Sequence, residues 1–232
     1  MRSADRRAVV RAVVLLAALS PAEACAAAPD CESQRSHGAP THEALLNDGW
    51  IETHDSDGVR VYNRKQANSP LYETIVRGRI AAPTDLVFSV VTDYAHYREF
   101  MPHTVESKVL GQKAGHVRVY ERLSFPFLSD RHFVVDVDLR SCRGESGFIR
   151  VAWDQDNQAS LPAGASGVVP SVNTGYWALW PTAQGRETDA IYYLHSDPGG
   201  RLPVFLVNAA NGWALPDVLE KVRGRVADVT RK

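Results

Sequence analysis

From Thr104 to Asp197 the chain sets down one strand-like segment after another. TVESKVLGQK, HVRVYERLSF, RHFVVDVDLRSC, GFIRVAWDQ, TGYWALWPT and ETDAIYYLHSD each run nine to twelve residues with a largely two-residue period and turn residues between them. Strands joined by short turns pair antiparallel, because a parallel crossover consumes a dozen residues or more. Three shorter strands precede them: WIETHD and VRVYNRK around the turn SDG, then LYETIVRGRI. Thr41 can cap a short helix, HEALLNDG. Pro83 opens another, PTDLVFSVVTD, and YAHYREFM reads as a third. The segment VFLVNAANGWALPDVLEKVRGRVADV closes the chain as a long helix interrupted at Pro216. The predicted architecture is α+β: a curved antiparallel sheet of about nine strands with the C-terminal helix laid across it.

The first 28 residues read differently. MRSADRRAVVR is basic, AVVLLAAL is a short apolar run, and small residues follow. That order is a signal peptide, with cleavage after Ala26 or Ala28. An acylated Cys25 is the lesser alternative, because Glu23 sits awkwardly before it. Without residues 1–28 the chain loses four Arg, one Asp and one Glu, and its formal net charge moves from −1 to −3. Nucleic-acid binding asks for a basic face, so no nucleic-acid partner is expected. Residues 29–40 are a polar linker, and residues 41–232 form one domain, expected to be a monomer in the periplasm. Cys31 and Cys142 are then an even pair in an oxidising compartment; a disulfide and two free thiols both remain open.

Two charges fall among apolar positions. Val117, Val119, Leu123 and Phe125 alternate onto one face together with Glu121. Phe133, Val135, Val137 and Leu139 do so together with Arg131. An even register, with Phe125 opposite Arg131 and Glu121 opposite Val135, puts both charges on that face; a one-residue slip separates them. Either Arg131 reaches water at a strand end and Glu121 sits at a sheet edge, or the two form a polar pair inside an apolar cavity. Between those strands the turn SFPFLSDR carries Phe125, Phe127 and Leu128 where turns normally carry Gly, Asn, Asp or Ser. Such a tip covers neighbouring core, covers a ligand, or enters a membrane surface.

Motifs of catalysis are missing: there is no G-x-S-x-G, H-E-x-x-H, C-x-x-C or glycine-rich phosphate loop. The histidines are scattered singly, DQDN at 154–157 reads as a solvated turn, and no metal or cofactor is expected. The loop NQASLPAGASGVVPS is long enough to be functional or mobile.

Taken together, VFSVVTDYAHYREFMPH, the run from Tyr120 to SDRHFVV, NTGYWALWP, and DPGGRLPVFLVN with LPDVLEKVR resemble the START lipid-transfer domain in its bacterial form, over about residues 45–230. The resemblance implies a helix-grip fold with an internal hydrophobic tunnel. It also implies one enclosed lipid (sterol, hopanoid, fatty acid or phospholipid) and a C-terminal helix that acts as a lid. Arg131 falls where the family often has a cavity arginine, though His132 stands where an aspartate commonly follows. Ligand-binding expectations are Glu121, Arg131, Phe133, Tyr176, Trp180, Tyr193, Phe205 and Asn208, with Trp177 and Tyr192 as further aromatics. Phe125, Phe127 and Leu128 are the expected gate toward a transient membrane surface. No catalytic residue is expected. The alternatives are a polyketide cyclase/dehydratase-like enzyme using Glu121 in the same cavity, and a protein-interaction module with a collapsed core.

Overall fold

The computed structural model describes residues 38–66, 69–143, 147–200, 202–204, 207–208 and 215–231. The segment read as a signal peptide, most of the linker, Cys25, Cys31 and Phe205 lie outside the described residues, as does the side chain of Cys142.

Helix α1 (His42–Asn47) begins where Thr41 Oγ1 accepts a hydrogen bond from Ala44 N at 3.1 Å. Strands β1 (Ile51–Ser56), β2 (Val59–Lys65) and β3 (Tyr72–Ile80) form an antiparallel meander. Asp57 and Gly58, at φ 51° and 67°, make the β1–β2 turn, a conformation glycine takes without steric cost. Helix α2 (Thr84–Val91) follows, with Pro83 just outside it as the N-cap. The expected single helix YAHYREFM is instead a 3₁₀ turn (Tyr94–His96) running into α3 (Tyr97–Phe100). Six strands then complete the sheet: β4 (Thr104–Lys113), β5 (His116–Leu123), β6 (Arg131–Arg143), β7 (Ile149–Gln155), β8 (Val172–Thr182) and β9 (Glu187–Asp197). The nine-stranded antiparallel sheet has the order β1-β2-β3-β9-β8-β7-β6-β5-β4 and curves around the C-terminal helix α4 (Pro216–Thr230).

Around β2, β3, β8 and β9 both faces of this sheet are covered. On the concave side Val59, Val61, Val76, Val119, Val151 and Leu179 pack against α2 and α4. On the convex side Tyr62, Ile75, Phe148, Ala178, Trp180 and Ile191 pack beneath Leu45 of α1 and Trp50. Helix α4 buries Val218, Leu219, Val222 and Val226, a stripe at helical spacing, while Val229 near its end is 41% exposed. Gly78 lets the helix come close. A Cβ there would lie 2.5 Å from Leu219 Cδ2 and 2.7 Å from Gly58 O. Arg223 completes the attachment by donating to the carbonyls of Arg79, Asp57 and Gly58 at 2.9–3.0 Å. In the half of the segment before Pro216, Val204, Val207 and Asn208 are helical.

Candidate functional site: an apolar cavity

Beyond the packed part of the concave face, the sheet and the helices part. A cavity of about 720 Å³ opens between β5–β9, the Tyr94–Thr104 segment, and Leu215 and Val218 of the helical end. That lies within the roughly 300–1,000 Å³ of small-molecule pockets. Its walls are Leu123, Phe133, Val135, Val137, Trp153, Trp177, Leu194 and Val207, with few polar groups among them.

The β5–β6 register decides the two charges. Leu123 pairs with Arg131 and Glu121 with Phe133, so Glu121 and Arg131 share the concave face one same-face step apart. The expected partners, Phe125 for Arg131 and Val135 for Glu121, are displaced by two positions, because residues 124–130 all stay in the connection. The even parity is kept, and with it the placement of both charges in the cavity. Of the two alternatives, the Glu121–Arg131 pair does not form: both residues line the cavity, but among the described residues no ion pair joins them. Arg131, 4% exposed, donates from Nε to Pro198 O at 3.3 Å and from Nη1 to Ser129 O. Those are carbonyls of the mouth loops, and burial lowers its pKa. Glu121 sits deeper. Its carboxyl keeps some accessible surface, but that surface faces the cavity, and burial alone pushes its pKa up to about 7. Tyr94, Tyr97 and Tyr192 surround it; burial, then the nearby Glu121 charge, raises the pKa of Tyr94 and Tyr192. For Tyr97, whose hydroxyl donates to Val91 O, burial again leads.

At the mouth, Phe125 stacks on His103 at 4.5 Å and Ser124 N donates to His103 O at 2.9 Å. Phe127 projects fully into the surroundings at φ 62°, and Leu128 is 41% exposed; both also border the cavity. Arg122 fixes the base of this loop through Asp130 at 2.8 Å and Glu106 at 3.2 Å. The long loop at 156–171 is tied to the same place. His132, 3% exposed, meets Tyr120 Oη at 2.9 Å and Ser166 O at 2.8 Å, and Val168 N donates to Asp130 O.

Three of the aromatic expectations point the other way. Tyr176, Trp180 and Tyr193 belong to the convex cluster, where Tyr176 and Tyr193 stack at 4.8 Å and Tyr193 Oη donates to Glu73 at 3.1 Å. Strand alternation gives the cavity Trp177 and Tyr192 instead. Asn208 does not border the cavity: its side chain accepts from Tyr72 N at 3.0 Å and donates to Pro70 O at 3.2 Å, anchoring the helical segment to β3. Phe133 does line the cavity.

The sequence reading missed Tyr94, Tyr97, Trp153, Asn173 and Ser196. Trp153 stacks on Tyr192 at 5.5 Å and donates to Asn173 Oδ1 at 3.1 Å. Its signal was Gly175 directly across the ladder, where a Cβ would run into the Trp153 ring and Tyr193 O. Among the described residues, no group of three His, Cys, Asp or Glu could hold a metal ion. No described helix is long and apolar enough to cross a membrane.

The family model described as polyketide cyclase / dehydrase and lipid transport matches residues 80–223. The human phosphatidylcholine transfer protein is 23% identical over 179 residues, covering 76% of this chain and 83% of that protein. Among solved structures, the STAR-related lipid transfer protein from Xanthomonas axonopodis superposes with a TM-score of 0.70 at 28% identity, covering 78% of this chain and 99% of that one. Human StAR-related lipid transfer protein 5 gives 0.70 at 17%, covering 81% and 93%.

Proposed function

This chain belongs to the polyketide cyclase / dehydrase and lipid transport family, and on that premise we propose that it is an exported carrier that encloses one hydrophobic molecule and exchanges it at a membrane surface. The observation that carries the reading is the 720 Å³ cavity, apolar over most of its wall and reached beside an apolar loop. Each methylene moved from water into such a wall is worth roughly 0.8 kcal/mol, so the ligand's apolar body supplies the affinity. Arg131, with Asn173 and Ser196 on the neighbouring wall, orients a polar group. Sterol, hopanoid, fatty acid and phospholipid bodies all suit this chemistry. Phe127, Leu128 and Val169 give the mouth exposed apolar side chains, and a lipid leaving a bilayer needs an unbroken apolar path. The basic and apolar N-terminal run supports export to the periplasm, with the protein acting as a monomer.

One observation favours a second reading. A cavity carboxyl that titrates near neutrality, as Glu121 does, suits proton transfer to an enclosed polyketide-like substrate. Extraction of the protein purified from its native compartment, followed by native mass spectrometry, separates the two. A stoichiometric lipid supports the carrier. An empty protein that takes up no lipid from vesicles refutes the carrier and leaves the enzyme.

A further inference from the structure

The connection between β7 and β8, residues 156–171, returns to the cavity mouth. At its start Asp156 N donates to Val134 O at 2.9 Å, and at its end Ser171 N donates to Asp197 O at 3.1 Å. Among the described residues, one hydrogen bond reaches residues 159–167 from outside the loop, and it comes from His132. That side chain is 3% exposed. Its ring stands between Ser166 O, 2.8 Å from Nε2, and Tyr120 Oη, 2.9 Å from Nδ1. A carbonyl only accepts, so Nε2 carries the hydrogen, and in the uncharged ring Nδ1 accepts from the tyrosine hydroxyl. A carboxylate in this place could only accept and could not hold the carbonyl. Gly167 fits the loop against the ring. At its φ of 152° a Cβ would lie 2.5 Å from Asp130 O and 2.8 Å from His132 Cδ2. Immediately beyond, Val168 N donates to Asp130 O and Val168 O accepts from His132 N, both at 2.9 Å, so Arg131 and Val168 form a parallel bridge. Pro170 then lines the cavity.

Resting on the carrier reading, we propose that residues 157–170 are a strap across the cavity mouth and that His132 is its clasp, a positioning residue that sets how fast cargo enters and leaves. With the clasp closed, the strap joins the base of the Phe125–Leu128 loop, at Asp130, to the end of β9, at Asp197. With it open, residues 159–167 lose their outside hydrogen bond, Val168 loses its support beside β6, and the mouth widens. The clasp itself touches no cargo. Arg131 and Phe133 line the cavity, so His132 between them points to the convex side, and Tyr120, Ser166 and Gly167 do not border the cavity either. Opening the clasp therefore costs the same whether the cavity is empty or filled. Its loss changes uptake and release together and leaves affinity alone.

The test uses two fluorescent probes on the purified protein: cis-parinaric acid, a fatty acid, and dehydroergosterol, a sterol. Release is followed by stopped flow into excess methyl-β-cyclodextrin, a soluble acceptor that takes membrane docking out of the measurement. His132→Phe keeps a ring in place and loses both hydrogen bonds. Gly167→Ala pushes the loop away from an intact His132. Each should speed uptake and release about tenfold, hold Kd within about twofold, and raise amide hydrogen exchange over residues 159–168. Tyr120→Phe, which removes one hydroxyl, should move the rates less and in the same direction. An unchanged Kd also shows that a variant is folded, and if one variant fails to fold the other two carry the test. Faster amide exchange in the strap with unchanged release overturns the gate. Unchanged exchange there overturns the clasp, and so does a loss of affinity that accounts for the faster release. Each of these leaves the carrier reading standing. Wild-type protein that takes up neither probe overturns both.

Discussion

Replacing Glu121 by Gln removes a charge that the cavity wall does not solvate. A carboxyl raised from 4.5 to about 7 by burial is about 3 kcal/mol costlier to ionise in the folded chain than in the unfolded one. The sign follows from proton binding. Below pH 4.5 both states hold the proton, and the group costs the fold nothing. Between 4.5 and 7 the folded state holds more protons than the unfolded, so stability falls as pH rises. Above 7 the full cost is present. Glu121→Gln should therefore stabilise the ligand-free protein by about 3 kcal/mol at pH 8 and leave it nearly unchanged at pH 4.5. Urea unfolding of both proteins at the two pH values measures this. The difference between them cancels the distant carboxylates that also titrate, such as Asp136 held low by Arg118. In thermal melts the gain at pH 8 corresponds to roughly 6–12 °C. A stability difference that is the same at both pH values, or a loss at pH 8, would refute the placement of this carboxyl in an enclosed apolar site.

Phe127→Asp should leave stability within about 0.5 kcal/mol, because the side chain is fully exposed and Asp tolerates the left-handed backbone; its vesicle binding in a flotation assay should fall severalfold. Gly78→Ala should destabilise by about 1–3 kcal/mol in urea titrations, since the new Cβ meets Leu219 and the Gly58 carbonyl. Tyr176→Leu should lose its stack with Tyr193 and its contact with Arg150 at 4.5 Å, costing about 1 kcal/mol without altering the amount of co-purified ligand. Tyr192→Leu, on the opposite face, should reduce that amount as read by native mass spectrometry.

Much of the architecture was written in residue periodicity. The alternation of Val117, Val119 and Leu123, and of Phe133, Val135 and Val137, assigns β5 and β6 and puts Glu121 and Arg131 on one face, whatever even register the hairpin takes. The stripe Val218, Leu219, Val222 and Val226 gives α4 its buried side. These are local properties: a two-residue or 3.6-residue period is set by backbone geometry and needs no knowledge of what packs on it.

The choice of wall in β8 and β9 was not legible. Both faces of that part of the sheet are buried, one against the cavity and helices and the other beneath α1 and Trp50. Apolar residues therefore occupy both parities, and Tyr176, Trp180 and Tyr193 look as suited to the cavity as Trp177 and Tyr192. Polarity contrast marks an inner face only when the other face meets water. The separation of Glu121 from Arg131 was also hidden, because it depends on carbonyls of Ser129 and Pro198 that arrive from two different connections. Residue order alone sets the strands, the final helix and the face on which two charges lie. That the charges stay apart, and that a cavity remains between sheet and helix, is settled only once the chain has folded. Both follow from how curved surfaces meet across long stretches of chain, and no local period encodes that.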